Sequence, residues 1–470
     1  MTQSPPCRKE RDTDGATRHA IVKQRNRLAV LVVIFYVTAL GSASASASTS
    51  SAAPVSTFAV PASVDATPAP ATKITAYTLP PDLYSKARNR GRIGFASRVF
   101  GIIYGVWILW FLLQRKTAAR FRDWAERATR KRFVQAFIVA PLLLFTMALF
   151  QLPLDIFREA VLRSYGISVQ SWPSWAADWA KGQFLLVLSA GLLAWILYAM
   201  IRQSPRRWWL YSWLIAVPLV AFVFFISPYV VEPLFYDFVP LSAKAPDLIP
   251  PIQRLMHKAG QDIPVDHMFW MQASTKTIAT NAYVSGFGSS KRVVIWDTTL
   301  AQETQDETLM DFGHELGHYV LKHIFQGMIF LDAVLMALLY LSYRTIGWLL
   351  AKRGAQWDIR ALYDWASLPA LLLLLTLFGF VADTAGNAFS RYLEHQADIY
   401  SLEINHGIVA DPGQTMARGF QKFGETVFED PEPNRVRVFL FYDHPPVVDR
   451  IHLFVTYDPW SKGEAPQFVK

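Results

Sequence analysis

Six long apolar runs, near residues 94–113, 133–151, 183–202, 208–231, 325–343 and 366–385, constrain this chain more than any other feature. Most approach the roughly 20 residues that an α-helix needs to cross hydrocarbon. Backbone amides inside a bilayer must be satisfied within the chain, so single runs of this length predict helices. The chain is 52% hydrophobic and 14% aromatic, above ordinary soluble usage. Its remaining polar residues are too few to cover six such runs as the core of a soluble protein. Trp107, Trp110, Trp208, Trp209 and Trp213 cluster toward run ends, as an interfacial aromatic belt would. The expected class is mainly α and multi-pass transmembrane, with the lipid bilayer as a partner.

Charge placement gives the orientation. The formal net charge is +9, but the cations sit in loops that flank the runs and not on one face, which excludes a nucleic-acid partner. Arg115, Lys116, Arg120, Arg122, Arg127, Arg130, Lys131 and Arg132 occupy 114–132; Arg202, Arg206 and Arg207 follow in 202–207, and Arg344, Lys352, Arg353 and Arg360 in 344–365. The 152–182 segment is poorer, with Arg158, Arg163 and Lys181. The positive-inside rule assigns the rich loops and residues 1–27 to the cytoplasm. Segments 45–93, 152–182, 232–324 and 386–470 then face the other side. Residues 1–47 have the layout of a secretory signal: a basic start, the apolar Leu28–Leu40, and small residues from Gly41. Cleavage is favoured over retention as a first anchor. Residues 48–75 read as a flexible Ser/Ala/Pro-rich linker. The sole cysteine, Cys7, lies in the leader, so the rest of the chain has neither disulfide nor Cys ligand.

His314-Glu315-Leu316-Gly317-His318 places two imidazoles at i and i+4 of a helix, one above the other, where both can grip one metal ion. Glu315 beside them is placed as a general base. A catalytic zinc takes three protein ligands and keeps one position open. The third must therefore be His, Asp or Glu on the same side of the membrane. Two crossings after His318, the chain returns there as Ser390-Arg391-Tyr392-Leu393-Glu394-His395-Gln396-Ala397-Asp398. Glu394 is assigned as the third ligand, with Asp398, one turn on, orienting a ligand histidine. Taken alone, that segment also fits a solvated acidic face. On one continuous helix His323 points roughly 140° from His318, and His395 about 100° from Glu394, so neither is a ligand candidate.

These motifs, with the terminal His444-Pro445-Pro446…Arg450, resemble the type I CAAX prenyl proteases, integral-membrane zinc metallopeptidases built as a helical barrel around a chamber. Leu79-Pro80-Pro81-Asp82-Leu83-Tyr84, Pro233-Leu234-Phe235 and Asn281-Ala282-Tyr283…Lys291–Asp297 extend the likeness over roughly 75–455. The resemblance implies one zinc per chain on His314, His318 and Glu394, with Glu315 as base. It also implies a substrate-contacting Asn281 and transition-state stabilisation by His444 and Arg450. Tyr165–Ser171 departs from the family's usual sequence. The implied layout is a transmembrane region at 76–231, peptidase parts at 232–324 and 386–470, and two transmembrane helices at 325–385. Arg292–Trp296 reads as a short strand. It is either a purely structural hairpin arm or an open edge that takes an extended substrate.

The expected activity is hydrolysis of a peptide or protein substrate by a zinc metalloendopeptidase. The charge pattern puts the peptidase on the non-cytoplasmic side of a bacterial inner membrane. Exported or membrane proteins then fit as substrates better than prenylated CAAX proteins, which are made in the cytoplasm. The rival from another class is a non-proteolytic membrane chaperone or assembly factor with a structural zinc; Glu315 argues against it, since a structural site needs no base. Asp306, Glu307, Asp311 and Lys322 around the motif argue against cleavage deep in the bilayer.

Overall fold

The computed structural model describes residues 73–285 and 291–469. The expected leader (1–47) and the first part of the linker (48–72) lie outside the described residues. All six apolar runs are helical, and among the described residues six helices are long and apolar enough to cross a membrane. The long helices are α1 (Pro81–Gln114), α3 (Arg132–Ser164), α4 (Trp172–Gln203), α5 (Trp208–Val230), α7 (His323–Arg353) and α8 (Leu368–Asn405). A short α2 (Thr117–Ala128) follows α1, and α6 (Gln305–Val320), α9 (Pro412–Thr426) and α10 (Val447–Thr456) belong to the metal-site end. Local chemistry sets several starts. Pro81 opens α1, Ser171 caps α4 through the Ser174 amide, and Thr304 and Glu307 form a reciprocal capping box on α6. Pro141 and Pro153 lie inside α3, and Pro218 and Pro228 inside α5; membrane helices tolerate such breaks where neighbours re-satisfy the backbone.

The bundle has two different ends. At one, the basic loops assemble around α2. Arg122, 1% exposed, binds Asp364 at 2.7 Å, Asp358 at 3.0 Å and Asp123 at 2.8 Å. Tyr198, Trp208 and Trp365 pack beneath it. Trp208 is thus a core residue at 1% exposure, unlike the belt position expected of it; Trp107 and Trp110 do remain exposed. The 38 residues of α8 rise about 57 Å at 1.5 Å each, carrying the chain from Trp365 to the opposite end.

There a four-stranded sheet forms with the order β1-β2-β4-β3. Its strands are β1 (Phe238–Pro240), β2 (Met268–Met271), β3 (Ala282–Ser285) and β4 (Arg292–Trp296). The expected strand Arg292–Trp296 is present as β4, but its edge is not open. It pairs parallel with β2 and antiparallel with β3. All five of its residues are buried, because apolar β-branched side chains here fill both faces of a central strand. The edge strands of this sheet are β1 and β3.

Candidate metal centre

Two glycines bring the metal-site helices together. A Cβ on Gly313 would stand 2.4 Å from Asn405 Nδ2, and one on Gly317 3.0 Å from the Tyr400 ring. These positions are one turn apart on α6, so the helix can lie close against α8 along that face. The contact is fastened where Ser401 Oγ donates to the Met310 carbonyl and Asn405 Nδ2 to that of Leu309. Glu307 anchors the start of α6. It is 3% exposed, caps the Thr304 amide at 2.8 Å and takes the Lys422 ammonium at 2.7 Å. It is therefore part of the packed interior and no marker of solvent.

That packing brings His314, His318 and Glu394 together as a group able to hold a metal ion. The two Nε2 atoms are 3.1 Å apart. Glu394 Oε2 lies 3.2 Å from His314 Nε2, and Oε1 3.4 Å from His318 Nε2. Donors held at 2.0–2.1 Å by a tetrahedral ion would stand about 3.3 Å from one another. Glu394 Oε2 is also buried with no hydrogen-bond partner, which is costly unless a cation completes it. The residues fit a metal.

Asp398, fully buried, accepts from His314 Nδ1 at 2.9 Å. Its other oxygen takes Arg450 Nε at 2.9 Å, and Arg450 Nη2 donates to Oδ1, the oxygen that also faces His314. Arg450 is itself 8% exposed and stacks 4.1 Å over the Phe420 ring. Arg450, expected as a transition-state donor, makes these contacts with the carboxylate that holds His314. His444 lies at the front, half exposed, with Nε2 3.3 Å from Glu394 Oε1 and Nδ1 3.1 Å from Asp443.

The field around these groups favours cations. Burial lowers the pKa of His314, but the carboxylates of Asp398 and Glu394 beside it outweigh that and lift the imidazole to about 10. Burial likewise opposes charge on His444, while Asp443 and Glu394 raise its pKa. Glu315 is pushed up by burial, with His314 and His318 pulling the other way. Behind it, Glu303 and Asp311 share a hydrogen bond; burial, then Asp311, drives Glu303 to about 10, and burial drives Asp311 to about 6. Sequence reading passed over this acid pair, since nothing in the spacing shows Glu303 folding back on α6.

Asn281 is exposed just before the edge strand β3. Its amide donates to Thr299 Oγ1 at 2.8 Å and its carbonyl accepts from the Trp296 amide at 3.1 Å. His395 is exposed. His323 is the surprise. Its Nδ1 is 3.0 Å from His318 Nδ1, although a 140° separation was expected. The expectation assumed one continuous helix. The chain breaks at Lys322, whose φ of 61° is left-handed, and α7 starts in a new direction with His323 turned back.

The chain is similar to known peptidases along most of its length. The model for peptidase family M48 matches residues 242–455, and that for the CAAX prenyl protease N-terminal region, five membrane helices, matches 65–237. An uncharacterized metalloprotease of Bacillus subtilis (strain 168), YhfN, is 34% identical over 346 residues, 73% of this chain and 79% of that protein. A CAAX prenyl protease 1 homolog of Arabidopsis thaliana is 25% identical, over 64% of this chain and 68% of its own. The crystal structure of S. mikatae Ste24p superposes with a TM-score of 0.68 at 20% identity, covering 82% of this chain and 93% of that one, and so shares the fold.

Proposed function

The chain belongs to peptidase family M48, and from that premise we propose that it is a membrane-embedded zinc metalloendopeptidase acting on extended segments of exported or membrane proteins. The observation that carries this reading is the convergence of His314 Nε2, His318 Nε2 and the unpartnered Glu394 Oε2 beside Glu315. A zinc ion held by His314, His318 and Glu394 would supply a Lewis acid able to polarise a scissile carbonyl and acidify a water. Glu315 takes the proton of the attacking water and passes it to the leaving amine. His444, biased to its cationic form, donates toward the developing oxyanion. Arg450 acts one step removed, fixing Asp398 and through it the His314 ring. The free edge of β3 offers backbone groups to an extended substrate strand, with Asn281 at its start holding the substrate backbone.

The side of the membrane decides the substrate class. Most of the basic loop residues gather at the Arg122 end, opposite the metal centre, which supports a non-cytoplasmic peptidase. Cleavage of cytoplasmic prenylated proteins, suggested by the name of the plant relative, fits the reverse orientation. Lys462 is exposed at the metal-site end and Arg206 at the basic end. With Cys7→Ser as background, Lys462→Cys should react with an impermeant thiol reagent in intact cells and Arg206→Cys should not. The opposite pattern would overturn the orientation.

The activity itself is tested with purified full-length protein in proteoliposomes and an unstructured reporter polypeptide. Cleavage should be abolished by a strong chelator and restored by zinc. Zinc-loaded protein that leaves a panel of such polypeptides intact would contradict a peptidase and favour a structural zinc.

A further inference from the structure

The metal-facing side of His318 is Nε2; behind it, Nδ1 meets His323 Nδ1 at 3.0 Å. His323 is 3% exposed, and its own Nε2 lies 3.1 Å from Gln396 Oε1. An amide oxygen only accepts, so His323 must donate from Nε2. In the neutral ring, Nδ1 is then the acceptor and takes the proton carried by His318 Nδ1. Gln396 is held in turn, its amide nitrogen donating to Tyr392 Oη at 3.0 Å. The directions along this chain are mutually consistent. They leave His318 Nε2 unprotonated, the only form that can ligate a metal.

We infer that His323, fixed by Gln396, is a positioning residue that sets the tautomer and ring orientation of His318 for metal binding, as Asp398 does for His314. The two ligand rings are thereby braced differently, His314 by a carboxylate paired with arginine and His318 by a neutral imidazole. His323 takes no place among the ligands, because it lies behind the ring whose Nε2 faces Glu394. The inference rests on the metal centre proposed above, but its test separates the two.

The full-length protein is purified and its zinc affinity is measured by competition with a chromophoric chelator. His323→Leu fills the space without accepting a hydrogen bond, and should weaken affinity about 10–100-fold. In His323→Asn, Oδ1 stands where Nδ1 was and can still accept, so affinity should stay within about threefold of the parent. Gln396→Leu, at a partly exposed position that folding tolerates, should weaken it by an intermediate factor. It decides the matter if His323→Leu does not fold. Equal affinity in the His323→Leu and parent proteins, an Asn variant as weak as the Leu variant, or Gln396→Leu without effect would each overturn the inference. If the parent itself holds no zinc, the metal centre fails first and the inference with it.

Discussion

The two ends of the bundle each bury a dense cluster of charge, and they differ in how completely it is satisfied. At the basic end, Arg122 is wrapped by Asp123, Asp358 and Asp364, with a further bond from Nη1 to the Asp358 carbonyl. Every nitrogen of that guanidinium has a partner. At the other end, two imidazole nitrogens and a carboxylate oxygen converge while Glu394 Oε2 lacks a hydrogen bond. Buried charge is expensive, so a cluster that is saturated from within serves the fold, whereas one that is not calls for a ligand. Charge density alone does not separate a brace from a site; the unmet donor atoms do.

The largest effect that sharpens this contrast is expected of Glu315→Gln. It removes the base but no ligand, so turnover should fall by about 10³-fold or more while zinc content stays at one per chain. Undiminished cleavage would remove Glu315 from its role. Next, Arg122→Met leaves the buried Asp364 carboxylate without its cation and should cost about 3–5 kcal/mol of stability, read by thermal unfolding in detergent. Zinc content of the folded fraction should not change; a proportional loss of zinc would mean that the two ends are coupled. Third, Asp398→Asn should weaken zinc affinity about 10–100-fold, because a neutral amide holds His314 less firmly and leaves Arg450 unpaired.

The smallest effect concerns the acid pair behind the centre. Burial raises Glu303 to about 10, far above an unfolded glutamate near 4.3. The folded state therefore holds this proton more tightly, and the contribution to stability is full below the unfolded pKa and fades as pH rises toward 10. Glu303→Gln keeps the neutral shape and removes that loss. Its melting temperature should exceed the parent's at pH 8 by on the order of 2 °C and by less at pH 5. A gain that is larger at pH 5 would contradict the sign.

Much of the frame was legible because it is local and periodic. The six apolar runs needed only length, and the convergence of His314, His318 and Glu394 needed only the i, i+4 rule and the return of the chain to one side. What escaped depends on partners far apart or on a break in regularity. Arg122 and Asp364 are separated by 242 positions with no pattern linking them. For β4 the choice between a hairpin arm and an open edge stayed undecided, because a run of β-branched residues cannot show that β2 and β3 flank it. His323 was lost to a single left-handed residue, Lys322, which ends the helical count on which its angle was reckoned. Nothing in the sequence marked Gly313 or Gly317 until the closeness of Asn405 and Tyr400 gave their size a reason.

The most direct measurement is the zinc content of the purified full-length protein beside its Glu394→Ala and Arg122→Met variants, by elemental analysis after removal of loosely held metal. One zinc per chain in the parent and in folded Arg122→Met, with loss in Glu394→Ala, is the predicted result. A Glu394→Ala variant that keeps its full zinc would contradict the claim that the unsatisfied cluster is the metal centre.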